Sequence, residues 1–163
     1  MSDPAVFIQR AIALSREALA KPGCAPFGAV IVKDGQIVGE GLNHAIAHSD
    51  PTSHGEVEAI RDACKRLGTL ELAGCDLYTS CEPCALCVAA MQIAGIRKLY
   101  YAASLKQSAA ALDTALRPAI DIEVLRAEAG APIAARRMPT QQLADADALV
   151  VLEAWAASNS EPA

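Results

Sequence analysis

Two short segments of the chain concentrate the residue types that could do chemistry, His54-Gly55-Glu56 and Pro83-Cys84-Ala85-Leu86-Cys87. Each stands at the start of an expected helix. Cys84 and Cys87 are spaced i, i+3, so their sulfurs lie on one helical face. They fall in a first turn, where free N–H groups and the positive end of the helix dipole favour thiolates. Two thiolates and an imidazole supply three ligands for a tetrahedral zinc ion and leave the fourth position to water or hydroxide. His54 and Glu56 are spaced i, i+2 and would point about 200° apart on an ideal helix. They can share a site only where the first turn is irregular, and the spacing suits Glu56 to carrying protons rather than to ligating. Two thiolates also cancel the charge of Zn²⁺, so the metal acidifies its water less than an all-histidine site would, and a neighbouring carboxylate is needed as base.

Other readings of these residues stay open on pattern alone. Cys84-x-x-Cys87 has the spacing of a redox pair, although such motifs do not come with an upstream His-x-Glu. A structural zinc site would want a fourth protein ligand, and Cys81, three residues before Cys84, is the candidate. The six cysteines (24, 64, 75, 81, 84 and 87) could form three disulfides only in an oxidising compartment. The N-terminus has no apolar signal segment, and no apolar run approaches the roughly 18 residues of a membrane span. A cytoplasmic protein with reduced thiols is the expectation.

The rest of the chain reads as scaffold for these two segments. At 163 residues it is expected to be a single domain, 1–163, with a core over about 3–105 and a helical and strand extension over 106–157. Asp3-Pro4 reads as a helix start, with Val6, Phe7, Ala11, Leu14, Ala18 and Leu19 on its apolar face. Two β-branched runs flank Asp34-Gly35, a hairpin signal. Helices are expected from about His54 to Leu67 and from Cys84 to Ala94, with strands at Cys75–Ser80 and Lys98–Ala103. Strands alternating with helices imply parallel pairing of the later strands. Further on, the pattern suggests a helix over Ser108–Leu116, a last strand over 132–138 and a helix over Gln141–Ala157. Cys24, Cys64 and Cys75 read as small buried hydrophobes. His44 and His48 read as loop residues, Trp155 as packing the last helix, and at most one of Tyr100 and Tyr101 as facing the core.

The two segments match the H-x-E…P-C-x-x-C signature of zinc nucleobase deaminases. Pro26-Phe27-Gly28-Ala29-Val30, Gly41-Leu42-Asn43, Asp50-Pro51-Thr52-Ser53 and Thr79-Ser80-Cys81-Glu82 fall in the same order and spacing as in the cytidine deaminase superfamily. Over about residues 5–103 the chain most resembles the bacterial guanine deaminases within it, and next the tRNA adenosine deaminases. The resemblance implies a three-layer α/β/α fold with a central five-stranded mixed sheet, and a homodimer with the site near the interface. It implies one zinc ion per subunit on His54, Cys84 and Cys87, with Cys81 a bystander and Glu56 catalytic. It implies substrate contacts from Asn43, Ala29, Gly55 and Glu82. The implied reaction is hydrolytic removal of an exocyclic amine from a small heterocycle, first guanine to xanthine and ammonia.

Three departures bear on the substrate. Gly55 stands where alanine is usual, the Phe-Asp-Asp stretch typical of guanine deaminases is replaced by Ala109-Ala-Ala-Leu-Asp-Thr with Asp113 as the nearby acid, and nothing after Trp155 is aromatic. Another aminopurine, a pterin, an aminopyrimidine or a triazine are therefore alternatives, and a non-catalytic zinc module is a remote one. A tRNA substrate is disfavoured by the net charge of −5 and by the absence of Lys and Arg over 142–163. Arg136-Arg137 and Lys65-Arg66 read as solvated surface rather than as a path for nucleic acid.

Overall fold

Along β1 (Ala25–Lys33) five consecutive residues are buried, which a strand achieves only when both faces of its sheet are covered. The computed structural model describes residues 3–112 and 121–159. The chain divides into two compact units, Met1–Arg126 and Ala127–Ala163. The first unit contains α1 (Pro4–Glu17), β1, β2 (Gln36–Asn43), α2 (Gly55–Leu67), β3 (Asp76–Cys81), α3 (Ala85–Ala94), β4 (Lys98–Ala103) and α4 (Leu105–Leu112). α5 (Ile122–Gly130) crosses the boundary, and the second unit holds a 3₁₀ turn at Ile133–Ala135 and α6 (Asp145–Asn159).

The sheet runs β2-β1-β3-β4, with β1 antiparallel to both neighbours and β3 parallel to β4. Alternation along β1 assigns its layers. Ala29 and Ile31 join Ala59 and Ala63 of α2, Leu77 of β3 and Met91 of α3 in one core. Val30 and Val32 join Phe7 and Leu14 of α1 and Tyr78 of β3 in the other. Each fully buried aliphatic side chain contributes about 1.5–3 kcal/mol. The three-layer expectation holds. Asp34 and Gly35, both at positive φ (50° and 78°), make the tight turn between β1 and β2.

Four strands, not five, are present among the described residues. The expected last strand at 132–138 is instead a 3₁₀ turn, closed by the Ala135 N–H donating to Pro132 O. The segment has no alternation to bury, and Pro132 denies it a ladder donor. The helix expected over Ser108–Leu116 begins earlier, at Leu105, and is described to Leu112. Asp113 lies outside the described residues.

Other expectations fare unevenly. On α1, Phe7, Ala11 and Leu14 are buried, whereas Val6 and Leu19 are exposed. Cys75 is buried, but Cys24 and Cys64 are only partly so. Tyr101 is exposed and Tyr100 stacks on Tyr78 at 4.5 Å. The last helix begins at Asp145 rather than Gln141, and Trp155 on it is 66 % exposed rather than packed. No described helix is long and apolar enough to cross a membrane.

Candidate metal centre and active site

His54 and Cys84 are both helix N-caps, of α2 and α3, with extended backbones (φ −77°, ψ 153° and φ −76°, ψ 172°). An N-cap side chain ordinarily accepts a hydrogen bond from the first turn. Neither of these does. Their side chains are free to turn to each other across the space between the helix starts. Cys87 lies three residues into the same turn as Cys84, so the second sulfur rises beside the first. The extended backbone at His54 also resolves the i, i+2 problem. His54 stands outside α2 and Glu56 inside it, and no ideal-helix angle separates them.

The three donor atoms form a tight triangle. His54 Nδ1 is 3.5 Å from the sulfur of Cys84 and 3.5 Å from that of Cys87, and the sulfurs are 3.8 Å apart. Zinc bonds of about 2.3 Å to sulfur and about 2.0–2.1 Å to nitrogen, at tetrahedral angles, would set edges of about 3.5 Å for N···S and about 3.8 Å for S···S. The observed edges match, so these residues fit a zinc ion. Among the described residues this is the one such group of His, Cys and acidic side chains. Cys81, buried at the end of β3, is outside it.

Electrostatics in the triangle favour a ligand set. The neighbouring Cys87 thiol, and then the His54 imidazole, pull the Cys84 thiol down to about 4. Cys87 moves the opposite way, pushed up by its contact with Cys84 and then by burial. The His54 imidazole is raised above its ordinary value, chiefly by Cys84. Protons held on such close donors would be displaced by a divalent ion.

Glu56 stands directly beside the triangle. Its side chain is buried, Oε2 lies 3.3 Å from Cys87 Sγ, and Oε1 lies 3.3 Å from the Thr79 hydroxyl. Burial raises its pKa above the ordinary carboxylate value. A carboxyl raised in this way gives up its proton less readily than an exposed one.

The loop before His54 is fixed by hydrogen bonds to Glu58 and Arg61 of α2, two residues the motifs do not include. Ser53 is fully buried, and its hydroxyl donates to Glu58 Oε1 at 2.7 Å and lies 3.3 Å from His48 Nδ1. Arg61 donates to the same Glu58 oxygen at 2.6 Å, and Thr52 caps onto Asp50 by backbone and hydroxyl. The signal was present in Ser53 and Glu58, five residues apart across a helix start. His48 and His44 are loop residues, as expected, with rings stacked at 4.7 Å.

The remaining candidates take different places in the fold. Ala29 is fully buried and pairs with Thr79 in the neighbouring strand. Asn43, at the end of β2, is buried and accepts the Ala45 N–H through Oδ1 at 3.1 Å. Gly55 opens α2 against β1, where a Cβ would come within 2.4 Å of Phe27 O. Glu82 is engaged elsewhere: its carboxylate accepts the Leu105 N–H at 3.0 Å and Arg126 at 3.2 Å.

A sheet covered on both faces, with a histidine and two cysteines converging at two helix starts, defines a class that sequence comparison names directly. Residues 1–103 match the model of the cytidine and deoxycytidylate deaminase zinc-binding region, and the chain belongs to that family. It is 40 % identical over 149 residues to the guanine deaminase of Bacillus subtilis, covering 91 % of both chains. The crystal structure of guanine deaminase from Bacillus subtilis superposes with a TM-score of 0.84 at 38 % identity, over 99 % of each chain. A structure of guanine deaminase from Nitrosomonas europaea matches at 27 % identity and TM-score 0.64, over 73 % of this chain and 69 % of that one. A tRNA-specific adenosine deaminase of Aquifex aeolicus is 40 % identical over 97 residues, 60 % of this chain and 64 % of that protein.

Proposed function

We propose that this protein is a zinc-dependent guanine deaminase, converting guanine and water to xanthine and ammonia. The observation that carries the reading is the buried Glu56 carboxylate, 3.3 Å from one corner of a His54-Cys84-Cys87 triangle with zinc-like edges. The near full-length likeness to a guanine deaminase supports the choice of base. The three donors would hold one zinc ion per subunit, with water as the fourth ligand. When bound, that ion supplies a Lewis acid that makes water a nucleophile near neutral pH.

The chain's own residues do the rest. Glu56 takes a proton from the attacking water and hands it to the ring nitrogen beside the amine-bearing carbon. It then carries the second proton to the departing ammonia, so the carboxylate is regenerated in each turnover. Asn43, with Oδ1 held by Ala45, keeps its amide NH₂ to donate to an acceptor on the base. The backbone around Ala29 and Gly55 lines the base, and Glu82 completes that wall through the loop it anchors at Leu105. A nucleic-acid substrate is disfavoured by the net charge of −5. A homodimer with one site per subunit is the assembly that the family resemblance implies. Reduced thiols at the site suit a cytoplasmic location.

The test is ammonia release by the zinc-loaded protein from guanine, set against 2,6-diaminopurine, adenine, cytosine, pterins and aminotriazines. Guanine is expected to give the highest kcat/KM. A pterin or triazine turned over faster would keep the chemistry and replace the substrate.

A further inference from the structure

Glu56 has two carboxylate oxygens, and they are held by different parts of the fold. Oε2 faces Cys87 on α3, whose S–H is a weak donor. Oε1 faces the hydroxyl of Thr79 at 3.3 Å, a full-strength donor on the interior strand β3. Thr79 is completely buried and pairs with Ala29 on one side and Tyr101 on the other, so its backbone is fixed from both directions. Its β-branched side chain has little freedom at χ1.

The same hydroxyl lies 3.4 Å from Gly28 O, while the Gly28 N–H donates to the hydroxyl of Ser80 at 3.0 Å. Two successive hydroxyls of β3 thus grip Gly28 at both polar groups, beside an irregularity in the β1–β2 register between Ala25 and Gly28. Thr79 thus touches both the backbone of β1 at Gly28 and the carboxylate of Glu56.

We propose that Thr79 is a positioning residue for Glu56, setting the carboxylate where a water proton and a ring nitrogen are both in reach. The inference rests on the deaminase reading and adds to it a residue outside the metal-binding motif. The hydroxyl has one proton and two acceptors, Glu56 Oε1 and Gly28 O, so a buried donor is never stranded when the carboxyl moves. Rate falls steeply with small errors in the placement of a catalytic group, by about a hundredfold for 1 Å.

The experiment compares Thr79→Val, which keeps the shape and removes the hydroxyl, with Thr79→Ser, which keeps the hydroxyl. Thr79→Val is expected to lower kcat by about tenfold to a hundredfold with KM, zinc content and melting temperature little changed. Thr79→Ser is expected to recover most of kcat. Equal losses in the two variants, or wild-type kcat in Thr79→Val, would overturn the assignment. Crystal structures of the zinc-loaded wild type and Thr79→Val give a second readout independent of turnover: Glu56 Oε1 should leave its position in the variant. An unmoved carboxylate contradicts the proposal even if the wild type releases no ammonia from any base, an outcome that would instead sink the deaminase reading.

Discussion

Cys87 Sγ and Glu56 Oε2 lie 3.3 Å apart, a proposed metal ligand in contact with a proposed proton carrier. The contact joins two helix starts that are far apart in sequence, and it makes the two functions separable by mutation. Removing Cys87 or Cys84 should remove the metal. Removing the Glu56 carboxyl should not.

Cys81 supplies the internal control for the ligand set. It is buried, with a thiol pushed up by burial, and it stands outside the triangle. Cys81→Ala is expected to retain the zinc content of the wild type, whereas Cys84→Ala and Cys87→Ala lose it. Elemental analysis after dialysis measures this, and zinc loss from Cys81→Ala would mean a four-ligand structural site.

Gly55 exposes a contest between propensity and packing. Alanine is the better helix former by about 1 kcal/mol. A Cβ at this position would nevertheless meet Phe27 O at 2.4 Å and Phe27 C at 3.1 Å, both backbone atoms of β1. Overpacking against backbone costs about 1–3 kcal/mol, so Gly55→Ala is expected to destabilise the fold in chemical denaturation. A gain in stability would show that β1 yields freely there.

Acidification should strip the metal. Cys84 raises the His54 value, so the metal-free imidazole holds its proton more tightly than a free one, and zinc must displace that proton. In the metal-free protein the protonated imidazole beside Cys84 stabilises the fold at low pH, and this stabilisation is lost as pH rises through the raised value. Zinc retention runs the other way, full above that value and falling as pH drops through it. Zinc content after equilibration at a series of pH values follows the effect. A curve flat through the imidazole range would contradict His54 as a ligand.

Much of the fold was legible because period and punctuation agree over the first hundred residues. Asp3-Pro4 starts α1, Asp34-Gly35 turns the hairpin, and Gly68 and Gly95 close α2 and α3. The grouping of His54, Cys84 and Cys87 was legible too, since these are rare residue types at telling spacings. Beyond Ala103 the signal fails for a physical reason. Alanine-rich segments satisfy helix propensity without marking a buried face, and a proline-flanked run such as 132–138 carries apolar residues without alternation. The roles of Thr79 and Ser53 were hidden differently. Each acts through a partner distant in sequence or across a helix start, Thr79 through Glu56 and Gly28, Ser53 through Glu58 and His48. Gly55, where alanine is usual, showed no reason in the sequence; the approach of Phe27 O gives it a packing one.

The most direct test of the central division of labour is zinc content and guanine turnover measured on one preparation of Glu56→Ala. The account predicts one zinc per chain, as in the wild type, with kcat lower by at least about a hundredfold, the low end for losing a general acid–base group. Loss of zinc in parallel with activity, or turnover close to wild type with zinc in place, would contradict it.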